Sequence, residues 1–256
     1  MEHNQTDQPL VSVITPTYNS EKFVHKTIES VIKQTYENWE MIIVDDASTD
    51  HTKDIIKKYL SSDTRITLIS LEENKGAAFA RNTAIDNSCG RFIAFLDSDD
   101  QWLPEKLEWQ IKKMLETNVA FSYTGYVVVN ENEEIIGEEN IKSSMLSYKE
   151  LLKHNDIGCL TVVLDKKQIG DIQMPDIRAR QDYALWLELT KRGFQAHGID
   201  LNLAKYRELQ KSLSSKKIEM AKLNWKVYRD IEKLNFFKSL WYFMHFAINK
   251  TMKYFK

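Results

Sequence analysis

Residues 97–100 read DSDD and directly follow the apolar run FIAFL at 92–96. Three carboxylates within four positions repel one another, so a chain that sets them at the end of a buried run needs a cation there. In extended backbone the side chains at i and i+2 share a face, which lets Asp97 and Asp99 converge while Ser98 points away. A hard divalent ion, Mn²⁺ or Mg²⁺, suits such oxygens and commonly shares a diphosphate. The structural alternative is that Asp and Ser gather after strands because they make turns and caps, with Pro104 opening the next helix at its first position. Asp182 raises the same choice, since it opens a helix-spaced stretch at a position where Asp is a preferred N-terminal residue.

The elements that must position these groups are legible as alternating apolar runs. LVSVIT (10–15), WEMIIVDD (39–46), RITLIS (65–70) and RFIAFL (91–96) read as strands, separated by helical spacing over 21–34, 52–60 and 76–86. Strands alternating with helices predict a parallel sheet covered on both faces. Ligands of such sheets collect beyond the strands' carboxyl ends. Those ends are Pro16-Thr17-Tyr18-Asn19, Asp45-Asp46-Ala47-Ser48, Glu72 to Gly76, and the DSDD turn, three of the four acidic. From about 118 the pattern changes: VAFSYTGYVVVN and the NENEEIIG stretch predict an antiparallel flap or edge. Asp182–Arg192 is helical, with Gly193 as its stop, and the last forty residues read as helix.

With 256 residues, 43% of them hydrophobic, the chain can bury one sizeable core, as one main domain with an appendage. The net charge of −2 argues against general nucleic-acid binding, yet residues 216–256 carry ten Lys or Arg against three acids, leaving −9 for the rest. The N-terminal MEHNQTDQP lacks the order of a signal peptide, which predicts a cytoplasmic protein. Cys89 and Cys159 have no metal-ligand spacing and read as small buried residues.

VSVITPTYN, IIVDDASTD, NKGAAFARN, FLDSDD and RQDYALWLEL occur in an order and spacing that resembles family 2 glycosyltransferases of the GT-A fold, over about 10–206. The resemblance implies an α/β, Rossmann-like doubly wound mixed sheet with a C-terminal helical extension. It divides the chain into a polar tail (1–8), a catalytic domain (9–207, with a nucleotide half of about 9–100 and an acceptor half of about 101–207) and a basic aromatic extension (208–256). It implies that Thr15, Pro16, Thr17 and Tyr18 lie against the nucleoside, that Asp46 accepts from the base, and that Gly76, Arg81, Asp97 and Ser98 contact the nucleotide-sugar. Asp99, with Asp97 beside it, is the implied ligand of Mn²⁺ or Mg²⁺, and Asp182 the implied general base. For Asp46 the local alternative is a helix cap beside Ser48 and Asp50.

Two positions depart from the family pattern. Gln181 stands where many relatives have Glu, and YRELQKSLS (206–214) has Leu209 where a His is common, leaving Arg207 available to a diphosphate. The QxxRW pattern of processive synthases is absent, so one sugar per binding event is expected. The expected function is inverting, metal-dependent transfer from a nucleotide-sugar, with UDP as the nucleotide, to a glycan or lipid-linked acceptor in bacterial cell-surface polysaccharide synthesis, resembling teichuronic acid enzymes. The alternatives are a sugar-nucleotide pyrophosphorylase, against which the glycine-free TPTYNSEK counts, and a non-catalytic scaffold on the same fold. The end FFKSLWYFMHFAINKTMKYFK (236–256) is too short to span a bilayer. It fits a helix lying on the anionic inner face of the cell membrane, and equally one packed on the catalytic domain or against a second copy in a homodimer.

Overall fold

In the computed structural model, residues 8–141, 145–209 and 217–252 are described. The polar tail up to residue 7, residues 210–214 of YRELQKSLS and the last four residues of the basic end lie outside them. The first half alternates as expected: β1 (Val11–Thr17), α1 (Val24–Ile32), β2 (Trp39–Asp45), α2 (Thr52–Leu60), β3 (Ile66–Ser70), α3 (Ala77–Asp86) and β4 (Phe92–Phe95). There follow β5 (Gln101–Trp102), α4 (Lys106–Thr117), β6 (Phe121–Val129), β7 (Ile135–Glu139), β8 (Met145–Leu146), α5 (Tyr148–Lys153), β9 (Val163–Asp165), α6 (Lys166–Ile169), α7 (Gln181–Lys191) and β10 (Ala196–Arg207). The chain then enters α8 (Lys217–Lys226), which runs into a π-helical turn (Val227–Ile231), and α9 (Phe236–Met252).

Among the described residues the strands form one mixed sheet in the order β3-β2-β1-β4-β9-β6-β10-β5, with β7 on β6 and β8 on β10. β3, β2, β1 and β4 are parallel, so their carboxyl ends reach one rim. β9 runs antiparallel to β4 and β6, and this single reversal lets β6 and β10 point the same way as the parallel half. Alternation then sorts the core. Ile14, Ile42, Val44 and Phe95 face α3 and α7, whereas Val13, Met41, Ile43 and Ala94 face α1, α2 and α4.

Trp186 on α7 is fully buried and meets Phe95 edge-on at 5.6 Å and Phe121 at 5.2 Å, which ties the helix that begins at Asp182 to both halves of the sheet. Truncating such a residue costs about 3–5 kcal/mol. Gly193 stops α7 as expected: its φ of +102° suits glycine, its N–H donates to Thr190 and that of Phe194 to Leu189, the Schellman pairing.

Several expectations change. The two strands joined by an Asn- and Glu-rich turn form as expected, β6 and β7 pairing antiparallel across residues 130–134, but β6 is interior rather than a flap because it also pairs with β9 and β10. Pro104 precedes α4 rather than opening it, since a turn closed by Lys106 N–H on the Leu103 carbonyl comes first. Cys89 is exposed, not buried: its N–H is held by Glu40 (2.7 Å) in the loop after α3 while the thiol faces outward. Cys159 is buried as expected.

One buried group makes the fold sensitive to pH. Lys106 has no exposed surface, its Nζ donates to Gln110 Oε1 (2.8 Å) and lies 4.4 Å from the Trp102 ring centre, and burial pushes its pKa from 10.5 down to about 7. Between those values the unfolded chain holds a proton that the folded chain has shed, so stability rises with pH across that window. Replacing Lys106 by Met removes the effect. The difference in unfolding free energy between wild type and Lys106→Met should therefore move toward wild type, by up to ~3 kcal/mol, from pH 7 to 9.5 in urea titrations. Parallel pH profiles for the two proteins would mean that Lys106 stays charged throughout.

Candidate active site

The carboxyl ends of β1, β2 and β4 meet in a set of interlocked loops. Asn19 after β1 and Ala47 after β2 both have positive φ, 49° and 60°, an uncommon conformation for such residues that the surrounding bonds hold in place. The Asn19 N–H donates to Ser48 Oγ (2.9 Å), the Thr49 N–H to Asn19 Oδ1 (2.9 Å), and the Ser20 N–H to Thr52 Oγ1 (2.8 Å). Ser20 Oγ also pairs with Ser98 Oγ at 2.7 Å, joining the first loop to the DSDD turn.

Thr15, Pro16 and Thr17 are all buried within β1, and neither threonine hydroxyl finds a partner among the described residues. Thr15 has no accessible surface here, so it bears on a nucleoside only through the shape it gives the strand end; Tyr18, half exposed, is the first residue open to a ligand. Asp46 is buried, and its two carboxylate oxygens accept from the N–H groups of Lys75 (2.7 Å) and Gly76 (2.8 Å). It thus caps the entrance to α3 across the site instead of its own loop. Gly76 sits there with φ +89°, a conformation in which a side chain would be strained.

Asp97 and Asp99 do face a common charge environment. Asp97 Oδ1 accepts from Arg81 Nη2 at 2.5 Å, with Arg81 buried on α3. Burial alone would weaken the guanidinium, but Asp97 above all, with Asp182, more than offsets it and holds its pKa above the ordinary value. No local pattern announces that Cys159 lies near these groups; burial, opposed by Arg81, pushes its thiol well up, so it stays protonated. Asp99 is part-exposed, and burial followed by the charge of Asp97 pushes its carboxyl up to about 6. It opens on a recess of about 540 Å³ lined by residues 18–23, Asp50, Glu131 and Leu209. Arg81, Asp97 and Asp182 are outside that lining, so the recess is the Asp99 side of the site. Leu209, standing where relatives often have His, offers the recess no metal ligand.

Asp182 is the second residue of α7, part-exposed, and its carboxylate accepts no hydrogen bond among the described residues. The helix cap is Arg180 and lacks a side-chain bond, so Asp182 does not serve as the cap that its position suggests.

Arg207 corrects another expectation. It is not available to a diphosphate, because it is buried and its guanidinium is fully engaged: Nε donates to the Asp99 carbonyl (2.9 Å), Nη1 to the Asn130 carbonyl (2.9 Å) and Nη2 to Glu133. Its N–H also donates to Asp100 Oδ1 (2.7 Å), while burial and the charges of Asp99 and Asp97 push that carboxyl well up. Glu133 also accepts from Lys26 (2.9 Å) and Gln101 (3.0 Å); these bonds and Arg207 outweigh its burial and lower its pKa to about 2. Nothing in NENEEIIG distinguishes Glu133 from its solvated neighbours, so this clamp was invisible in the sequence. Arg207→Met leaves the buried acids without their cation and should cost about 3–5 kcal/mol in urea unfolding. A loss under 1 kcal/mol would show that the acidic turn holds itself.

The Glycosyl transferase family 2 description matches residues 12–163. The putative teichuronic acid biosynthesis glycosyltransferase TuaG of Bacillus subtilis is 49% identical over 96% of this chain and 98% of its own. The UDP-Glc:α-D-GlcNAc-diphosphoundecaprenol β-1,3-glucosyltransferase WfgD of Escherichia coli is 44% identical over 88% of this chain and 87% of its own. Among solved structures, S. aureus TarS 1–349 in complex with UDP-GlcNAc superposes with a TM-score of 0.66 at 22% identity, over 86% of this chain and 66% of that one. The mannosyltransferase PcManGT from Pyrobaculum calidifontis, in complex with GDP-Man and Mn²⁺, gives 0.65 at 20%, over 88% and 66%. These likenesses establish the GT-A fold, here with helices appended after β10. A rim of acidic strand ends on that fold, matched end to end by close relatives, places the chain in glycosyltransferase family 2, and it is a glycosyltransferase.

Proposed function

We propose that the enzyme transfers one sugar per binding event from a UDP-sugar to a glycan or lipid-linked acceptor of bacterial cell-surface polysaccharide, with inversion at the anomeric carbon. The observation that carries this reading is the unbonded carboxylate of Asp182 at the start of α7, set close enough to Arg81 to help hold its charge. An acceptor hydroxyl is a weak nucleophile, and a carboxylate that takes its proton as the new bond forms lowers the barrier by about 10²–10⁴-fold in rate. The names of the TuaG and WfgD relatives support the acceptor class, and the latter supports UDP.

The residues present fit a divalent ion, Mn²⁺ or Mg²⁺, at Asp99 with Asp97 beside it. Asp99 sits at an open recess with a carboxyl whose charge burial and Asp97 disfavour, a conflict that a cation relieves. Among the described residues no three ligating side chains converge, so an ion held by Asp99 would need further oxygens from outside the protein, such as a diphosphate's or water's. When bound, the ion supplies Lewis-acid stabilisation of the departing diphosphate. The chain's own residues do the rest. Tyr18 offers its ring to the nucleoside, Asp46 its remaining lone pairs to the base, Ser98 its hydroxyl to the nucleotide-sugar, and Gly76 the turn that brings Arg81 to Asp97. In this reading residues 9–100 hold the donor and 101–207 the acceptor.

The extension, 208–256, we assign to the inner face of the cell membrane. α9 buries Ser239 and Phe246 and lays Tyr242 and Phe243 on the core, yet Phe237, Trp241, Met244 and Ile248 on its other face are each more than half exposed. No helix among the described residues is long and apolar enough to cross a bilayer. An apolar stripe on a segment of net charge +7 suits the interface of an anionic membrane.

Asp182→Asn should lower kcat by about a hundredfold or more while leaving Mn²⁺-dependent UDP-sugar binding within about twofold, measured by turnover and calorimetry. Full activity in that variant would remove Asp182 as the base. Replacing Phe237 and Trp241 together by Ser should abolish sedimentation with phosphatidylglycerol vesicles and leave the molecular mass unchanged. A change in mass with vesicle binding intact would assign the stripe to a homodimer instead.

A further inference from the structure

Arg180 is the residue that neither the fold nor the proposed mechanism explains. Its φ of +69° is left-handed, a conformation that costs a non-glycine residue of order 1–3 kcal/mol unless something holds it. Its guanidinium is also unanswered. Arg65, Arg81, Arg91, Arg192 and Arg207 each donate to a carboxylate or carbonyl, whereas the Arg180 guanidinium makes no hydrogen bond or ion pair among the described residues and its Nε is buried without an acceptor. A buried donor left unpaired costs about 1–3 kcal/mol, so the arrangement is unfavourable for the protein alone.

Its position supplies the missing partner. Arg180 immediately precedes α7, two residues before Asp182, so a ligand it holds would approach the start of the helix that carries Asp182. On its other side the guanidinium sits 5.8 Å from the ring centre of Phe246, on the buried face of α9, whose opposite face is the exposed apolar stripe. A cation with a forked set of donors, between an apolar helix and a catalytic carboxylate, matches a molecule built as lipid, then phosphate, then sugar. We propose that Arg180 anchors the diphosphate of a lipid-linked acceptor, holding its first sugar at Asp182 and leading its chain along α9. This rests on the acceptor-side reading of Asp182 given above, and it commits that reading to acceptors carrying a diphosphate.

Binding, without turnover, tests it. The full chain is sedimented with phosphatidylcholine vesicles containing undecaprenyl diphosphate, or phosphatidylglycerol at equal surface charge. Wild type should bind the diphosphate vesicles about tenfold more tightly, and Arg180→Gln should lose that excess while binding phosphatidylglycerol unchanged. Arg180→Gly should lose it too, with a melting temperature equal to or above wild type, because glycine adopts the same φ without strain. An excess that survives Arg180→Gln, an equal loss toward phosphatidylglycerol, displacement of the diphosphate vesicles by UDP, or a fall in melting temperature that tracks the binding loss in both variants would each overturn the assignment. Since no sugar is transferred, failure here is distinct from failure of Asp182 as the base.

Discussion

Three carboxylates on one turn can be kept at the end of a buried strand only if cations reach them from the protein itself. Arg81 arrives from α3 and pairs with Asp97; Arg207 arrives from the end of β10 and holds the Asp99 carbonyl, the Asp100 carboxylate and Glu133. The two arginines come from opposite sides of the turn and are both buried. Arg81 neutralises Asp97, and of the two acids whose charge burial disfavours, Asp100 is enclosed against the Arg207 N–H while Asp99 keeps a face toward open space. Selectivity for a ligand at one carboxylate therefore arises from how the other two are satisfied.

The same logic extends to the neighbouring loops. Asp46 holds the 75–76 backbone, which starts α3, and α3 carries Arg81 to Asp97. Ser20 ties the β1 loop to Ser98 and to Thr52. The strand ends are thus linked through backbone N–H groups, the Ser20 hydroxyl and the Arg81 guanidinium, and few side chains at the rim are free to relax independently. Preorganisation of this kind lets polar groups act on a transition state without rearranging during the reaction.

The nucleotide half was readable because β1, β2 and β4 are buried on both faces, which leaves mostly apolar runs such as VSVIT and MIIV. α7 was readable for a similar reason, with Leu185, Trp186 and Leu189 all in the core. β10 left no such trace. Its register slips twice between Ile199 and Ala204, and Asp200 and Leu201 are exposed, so AHGIDLNLAKYR lacks both a run and a clean alternation. The acidic site residues could be located from their place after strands, but their partners could not. Arg207 and Glu133 meet across 74 positions through a pairing of β10 with β6 that no local pattern announces.

The reversal at β9 decides how the two halves meet. With β9 antiparallel between β4 and β6, the DSDD turn after β4 and the β6–β7 turn bearing Glu133 emerge on the same rim, and β10 brings Arg207 back to join them. A fifth parallel strand in that place would need a helical crossover and could carry no such short return. The short antiparallel β9 instead leaves room above it for the segment containing Cys159, which sits against Arg81, Asp97 and Asp182. Asp182 is then held near the acidic turn by α7 packing through Trp186 onto Phe95, the residue two positions before Asp97 on the adjoining strand. The spacing between candidate base and candidate ion ligand is accordingly supported by aromatic packing in the core, rigid in the way that side chains on loops are not.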